Sequence, residues 1–273
     1  DPFYTLYTTR FEVVMTMTAL ALSSGNQAAA FLATVSAPAQ YEEQAKLALP
    51  KIKEASSVLA FAAANILPLR ESLPYDRPPE VVPGLLSAVS VLFRATGQQV
   101  AAKQAALKNM SPSLLAKLYM AAAKLMEESD GGLRGLSHDY KDLQQPLKTW
   151  TAAGHRFLLA VALRNFGVDI WNAQKHGEGL GCARAAKMNH DKAVSEGILH
   201  GASQSLAARV EEESSSLDRM LAAWEKDNKL VYFERVKEPE VLPEAKAVTA
   251  ADCPDFPLPT PPFSLSFDTA TSV

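Results

Sequence analysis

The 273-residue sequence has only two cysteines, Cys182 and Cys253. Two thiols in so long a chain do not make a disulfide framework, so a reducing compartment is expected. Excess charge of either sign is also missing: 27 basic against 30 acidic residues give a formal net charge of −3. Proteins that track phosphate backbones carry a basic surplus or a Lys/Arg stripe, so no nucleic-acid partner is expected. Long apolar runs are lacking too. The longest uncharged stretch, Val13 to Tyr41, is interrupted at Ser23-Ser24-Gly25-Asn26-Gln27. That leaves about ten apolar residues where a membrane span needs about twenty. The sequence opens on Asp1 without a basic region and apolar core, so it reads as the product of leader removal or as a piece of something longer.

Chemistry-bearing patterns are equally sparse. The five histidines, His138, His155, His176, His190 and His200, show no His-x-x-x-His spacing, and no Cys-x-x-Cys pair accompanies them. One element therefore offers no ready set of metal ligands. His190-Asp191 near His200 reads as ordinary surface histidine, and Glu211-Glu-Glu213 with Asp218 and Arg219 as a solvated helix face. Gly177-Glu-Gly-Leu-Gly181 imitates a glycine-rich nucleotide loop, but a helix precedes it where a strand is required. Its glycines are expected at a tight helix–helix junction. No Gly-x-Ser-x-Gly elbow or phosphate loop occurs, so no enzymatic activity, metal or cofactor is expected.

What is present is helical periodicity. Most of the first 230 residues are rich in Ala, Leu, Lys, Glu and Gln, with apolar residues recurring at three and four. The pattern predicts an all-α protein with helices over 5–23, 27–36, 40–67, 80–108, 112–129, 142–174, 178–191 and 196–228. Leu67-Pro68, the Pro74 to Pro79 stretch, Ser111-Pro112 and Asp130-Gly131-Gly132 punctuate these segments. Pro50 is expected to kink or split the third, because it removes a backbone donor and crowds the preceding turn. Arg156 to Leu163 is apolar on every side, which predicts a helix lying between others. Trp150 and Trp171 on that helix are expected in the core, and Leu217, Met220, Leu221 and Trp224 on the buried face of the last helix. Short loops between paired helices imply a curved, tetratricopeptide-like array of hairpins, although no strict 34-residue repeat is visible.

After Asn228 the character changes, with seven of the seventeen prolines lying between Pro239 and Pro262. The division expected is a helical domain over 1–236 and an extended proline-rich tail over 237–273, lying along its own domain. Val231, Tyr232 and Phe233 at its start look like an anchor.

Three segments carry a resemblance. Trp224-Glu-Lys-Asp-Asn-Lys-Leu-Val-Tyr-Phe-Glu-Arg-Val236 resembles the closing signature of the Bro-domain family, the Alix-like helical adaptors. Lys175-His-Gly-Glu-Gly-Leu-Gly181 is similar to that family's Lys-aromatic-Gly-Glu helix-pair junction. Ser111-Pro-Ser-Leu-Leu-Ala-Lys-Leu118, following the helix with Gln98-Gln-Val-Ala-Ala102, is similar to a third family segment. The resemblance covers about residues 10–263, without the family's N-terminal β-hairpin region and first helices. It implies a truncated or divergent Bro-type domain: a non-enzymatic scaffold that binds an amphipathic C-terminal helix of an ESCRT-III subunit. The partner-binding positions it implies are Ala101, Leu114 and Leu118, the last two sharing a helix face. Ala101 departs from the family pattern, in which a bulky aromatic stands at that position. The implied location is cytoplasmic and peripheral to endosomal membranes. The alternative is a structural subunit of a larger complex, organellar after leader removal, that keeps the fold without ESCRT-III binding.

Overall fold

The computed structural model describes residues 9–35, 37–67, 77–137 and 139–248, and within them the chain is helical with no strand. Seven long helices follow one another: α1 Thr9–Ala33, α2 Pro38–Phe61, α3 Pro83–Leu107, α4 Pro112–Arg134, α5 Gln145–Asn172, α6 His176–Ser195 and α7 Gln204–Asp227. Each packs chiefly on its neighbours in sequence, as expected for an array of antiparallel hairpins. Residues 233–248 have no helix or strand and form a strap that returns over the array.

The apolar residues settle into connected cores. One joins α1 to α2 and α3 through Val14, Val58, Leu59 and Leu86. The largest joins α3, α4 and α5 through Leu118, Met126, Phe157 and Leu158, and reaches Val210 on α7. The all-round apolar segment of α5 is buried as predicted: Phe157, Leu158, Ala160, Val161, Ala162 and Leu163 are each at most 5% exposed. On α7, Leu217 is fully buried, while Met220, Leu221 and Trp224 are half-buried.

Four predicted boundaries differ from the structure, each for a physical reason. Thr9–Ala33 is one helix, not two. Ser24 is buried and a side chain on Gly25 would collide with the Phe93 ring, so the small polar stretch is a contact with α3 and not a break. Helix α4 continues through Gly131-Gly132 to Arg134 because Gly132 passes close to Ala88 of α3. Pro50 does not split α2: it lies on the exposed side, and the residue four before it, whose carbonyl loses its donor, is exposed too. Residues 196–203, predicted as the start of the last helix, form a turn with Gly197 and Gly201 at positive φ. The Ser111-Pro112 start is confirmed, with the Ser111 hydroxyl accepting from the Leu114 amide at 3.3 Å. Pro68, Pro74, His138, Cys253 and the Pro257–Pro262 run lie outside the described residues.

Candidate functional site

Three places on the array bring together the residues singled out by sequence. The first is the seam between α3 and α4. Leu114 is half-buried against the central core, and Ala101 is half-buried on α3. Gln104 and Lys108 follow Ala101 at three and seven, on the same side of α3. On the α2 side of α3, Gln104 and Lys108 border with Tyr41 and Glu42 a notch of about 200 Å³. Lys108 Nζ lies 3.0 Å from Glu42 Oε1, and this lysine holds the Glu42 carboxyl below its usual range. Leu107 and Met110 stand exposed at the hairpin tip beside it.

Leu118 is not on this surface. It is 3% exposed and belongs to the core. The strap explains its surroundings. Gln98, fully buried, donates from Nε2 to the Leu118 carbonyl at 3.2 Å and to the Lys246 carbonyl at 3.0 Å, and its Oε1 accepts from the Val248 amide at 2.9 Å. The Lys246 amide donates to the Lys117 carbonyl at 3.0 Å, and Ala245 packs on the same core. One buried amide side chain thus satisfies two carbonyls and one amide that the seam and the strap leave open.

The third place is a latch at the start of α6. After α7 a π-type turn, Asn228–Tyr232, ends on Phe233 in the left-handed conformation at φ 57. The Asn228 side chain closes this turn, donating to the Glu234 carbonyl at 2.9 Å and accepting its amide at 3.1 Å. The Glu234 carboxylate then caps α6, accepting from the Gly177 amide at 2.7 Å and meeting His176 Nδ1 at 3.1 Å. These bonds, the Gly177 one first, hold its carboxyl below the usual range. The His176 ring is 4% exposed, stacked on Tyr232 and met edge-on by Trp171, which itself stacks on Trp224 at 4.3 Å. Gly177 and Gly181 let the strap backbone through: a Cβ on Gly177 meets the Arg235 carbonyl, and one on Gly181 the Lys237 carbonyl.

The segment that begins at Trp224 is therefore a folding device in which aromatic stacking, a turn closed by asparagine and a carboxylate cap fix the strap on α6. A comparison with family profiles gives the same answer from another direction: the BRO1-like domain matches residues 11–266. The chain belongs to the BRO1-like domain family. Solved Bro domains share its fold at low identity. The ALIX BRO1 CHMP4C complex superposes with TM-score 0.73 at 20% identity, covering 88% of this chain and 63% of that one. ALIX bound to an SIV late domain gives 0.76 at 20% identity over 96% of this chain and 34% of that one. A Bro1 domain described for endosomal targeting gives 0.69 at 14% identity over 91% and 64%. The chain thus spans between a third and two thirds of the length of these structures. No curated protein sequence matches.

Within this Bro domain several side chains have roles that sequence reading missed. His176 and His190 are buried, not surface groups; His190 Nε2 lies 2.9 Å from the Val210 carbonyl and so ties α6 to α7. Glu213 is not solvated either: it pairs with Arg164 at 2.5 Å across α5 and α7. Trp171 is half-buried in the latch, and Trp150 is half-buried beside an apolar cleft. Of the expected anchor Val231-Tyr232-Phe233 only Tyr232 faces inward; Val231 and Phe233 are 62% and 75% exposed. Gly179 does sit at a helix–helix junction, against Gly167 and Trp171 of α5. Cys182 is buried, and burial pushes its thiol up to about 11, which makes it an unreactive packing residue. Among the described residues no cluster of His, Cys, Asp or Glu is arranged to hold a metal ion, and no helix is long and apolar enough to cross a membrane.

Proposed function

We propose that this Bro domain is a non-enzymatic protein-interaction scaffold that receives an amphipathic helix of an ESCRT-III subunit on the α3–α4 seam. The observation that carries the reading is the placement of Leu114 and Ala101, half-buried and accessible, beside the exposed Leu107 and Met110 in a domain of this family. Accessible apolar side chains on adjacent helices are what an amphipathic helix engages with residues at three- and four-residue spacing. Leu118 supports Leu114 from behind and is not itself a contact. The setting that goes with this role is endosomal sorting or related signalling, with the protein peripheral to the cytoplasmic face of the membrane.

Fluorescence anisotropy of a labelled ESCRT-III C-terminal helix titrated with the full chain tests the proposal. Saturable micromolar binding is expected, weakened at least tenfold by Leu114→Asp. Ala101→Phe restores an aromatic anchor; burying about 80 Å² more apolar surface at about 25 cal/mol per Å² gives roughly 2 kcal/mol, or about thirtyfold tighter binding. Absence of binding up to about 1 mM by both the parent and Ala101→Phe overturns it. Two features favour a second reading: the strap occupies the Leu118 end of the seam, and Ala101 offers little bulk. On that reading the domain is a structural subunit of a larger complex, and it co-purifies with stoichiometric partners instead of ESCRT-III proteins.

A further inference from the structure

The opposite side of α3 carries a second groove. At about 100° per residue, Lys103 stands about 200° around the helix from Ala101, so the two face away from each other. Leu92, Thr96, Gln99 and Lys103 recur at four, seven and eleven, which makes them one stripe along α3, and all four are half-buried. At its Leu92 end the stripe borders a cleft of about 830 Å³, walled by Leu22 of α1 and by Leu147 and Trp150 of α5. The lining is mainly apolar, and Leu22 is 49% exposed in it. The Thr18 hydroxyl on the same wall is buried without a hydrogen-bond partner among the described residues.

At the Lys103 end the character reverses. Lys103 Nζ lies 4.6 Å from the centre of the Tyr41 ring, and the Arg209 guanidinium lies 5.8 Å from the centre of Phe157, two turns of α5 on from Trp150 on about the same face. Neither cation has an ion-pair partner within 4.0 Å among the described residues, and burial first and the Arg209 charge second hold the Lys103 ammonium below its usual range, with Glu212 opposing. Two half-buried cations, each lying over a ring and neither in an ion pair among the described residues, leave positive charge that a carboxylate can meet.

From Leu92 to Lys103 is about 16 Å along the axis, three turns of helix. We infer that this groove, apolar at Trp150 and cationic at Lys103 and Arg209, docks an amphipathic α-helix of a partner protein that carries Glu or Asp at one end. The occupant's apolar residues fill the cleft at Leu92, Leu147 and Trp150, and its acidic end lies between the two cations. This surface is separate from the seam at Ala101 and Leu114, so one domain engages two helices at once.

The probe is a fluorescein-labelled 14-residue model helix with Leu and Trp at four- and seven-residue spacing and two Glu in its last turn, titrated with the full chain. Saturable micromolar binding is expected, with at least tenfold loss in Thr96→Arg, Lys103→Glu and Arg209→Glu, and no change in Leu114→Asp. A second probe with Lys in place of the two Glu is expected to bind the Lys103→Glu/Arg209→Glu double variant and not the parent. That exchange excludes simple unfolding as the cause of the losses. Binding that survives both Thr96→Arg and charge reversal overturns the inference. So does absence of binding up to about 1 mM, whether a second copy or the chain's own residues 249–273 close the groove. Since Leu114→Asp separates the two surfaces, failure here leaves the ESCRT-III proposal standing, and the reverse holds.

Discussion

Glu234 joins three parts of the molecule in one residue: its backbone closes the turn with Asn228, its carboxylate caps α6 at Gly177, and the same carboxylate meets His176. The charged form makes these bonds, so its folded pKa lies below the ordinary 4.5. The stabilisation is therefore complete above that value and is lost as pH falls through the lower folded one. Acidification below the ordinary 4.5 is expected to loosen the latch before the helical array melts. The change reads out as altered tryptophan fluorescence from the stacked Trp171–Trp224 pair beside it. Glu234→Gln, already uncharged, should show no such step. If it shows the same step, another group is responsible. Sequence marked out Tyr232 and Glu234 only as letters of a family signature, because their partners His176 and Gly177 lie more than fifty residues away. The burial of Leu118 was hidden for a similar reason: whether a leucine on an amphipathic helix is surface or core depends on what covers it.

Helix α4 offers a matched pair at the scale of one element. Gly131 and Gly132 both lie in its last turns, yet a Cβ on Gly131 meets nothing within 4 Å, whereas one on Gly132 lies 3.1 Å from Ala88 Cβ. Gly131→Ala is expected to stabilise the protein by about 0.5–1 kcal/mol, through lower chain entropy in the unfolded state. Gly132→Ala gains the same propensity but must push α3 aside, so no net gain is expected. Urea unfolding midpoints compare the two directly, and equal stabilisation would show that the α3–α4 contact yields freely. The same contrast explains why Asp130-Gly131-Gly132 and Ser23-Ser-Gly-Asn-Gln27 read as breaks. Small residues serve turns and close helix crossings alike, and only the partner, Ala88 or Phe93, distinguishes them. Where the local signal has one meaning, as in the apolar α5 or the Ser111-Pro112 cap, sequence and structure agree.

Across the whole molecule, packing runs chiefly between helices adjacent in sequence, and a link between more distant helices falls to something else. The strap does this, from Gly177 on α6 to Gln98 on α3, through hydrogen bonds between residues 148 and 150 apart in sequence. Its extended character was legible in the prolines, but its course over the seam was not, since the bonds are to backbone atoms that leave no mark on composition. Gln98→Ala removes the side chain that holds Lys246 and Val248 and leaves the Leu118 carbonyl without that donor. A loss of about 1–3 kcal/mol is expected, together with faster amide exchange at Lys246 and Val248 and unchanged exchange in α6 around Gly179. If the strap competes with the proposed partner for the Leu118 end of the seam, the same variant binds the ESCRT-III helix more tightly than the parent does. If affinity is unchanged while exchange at Lys246 accelerates, the helix and the strap lie side by side, and the strap is a permanent brace of the array and not a gate on its surface.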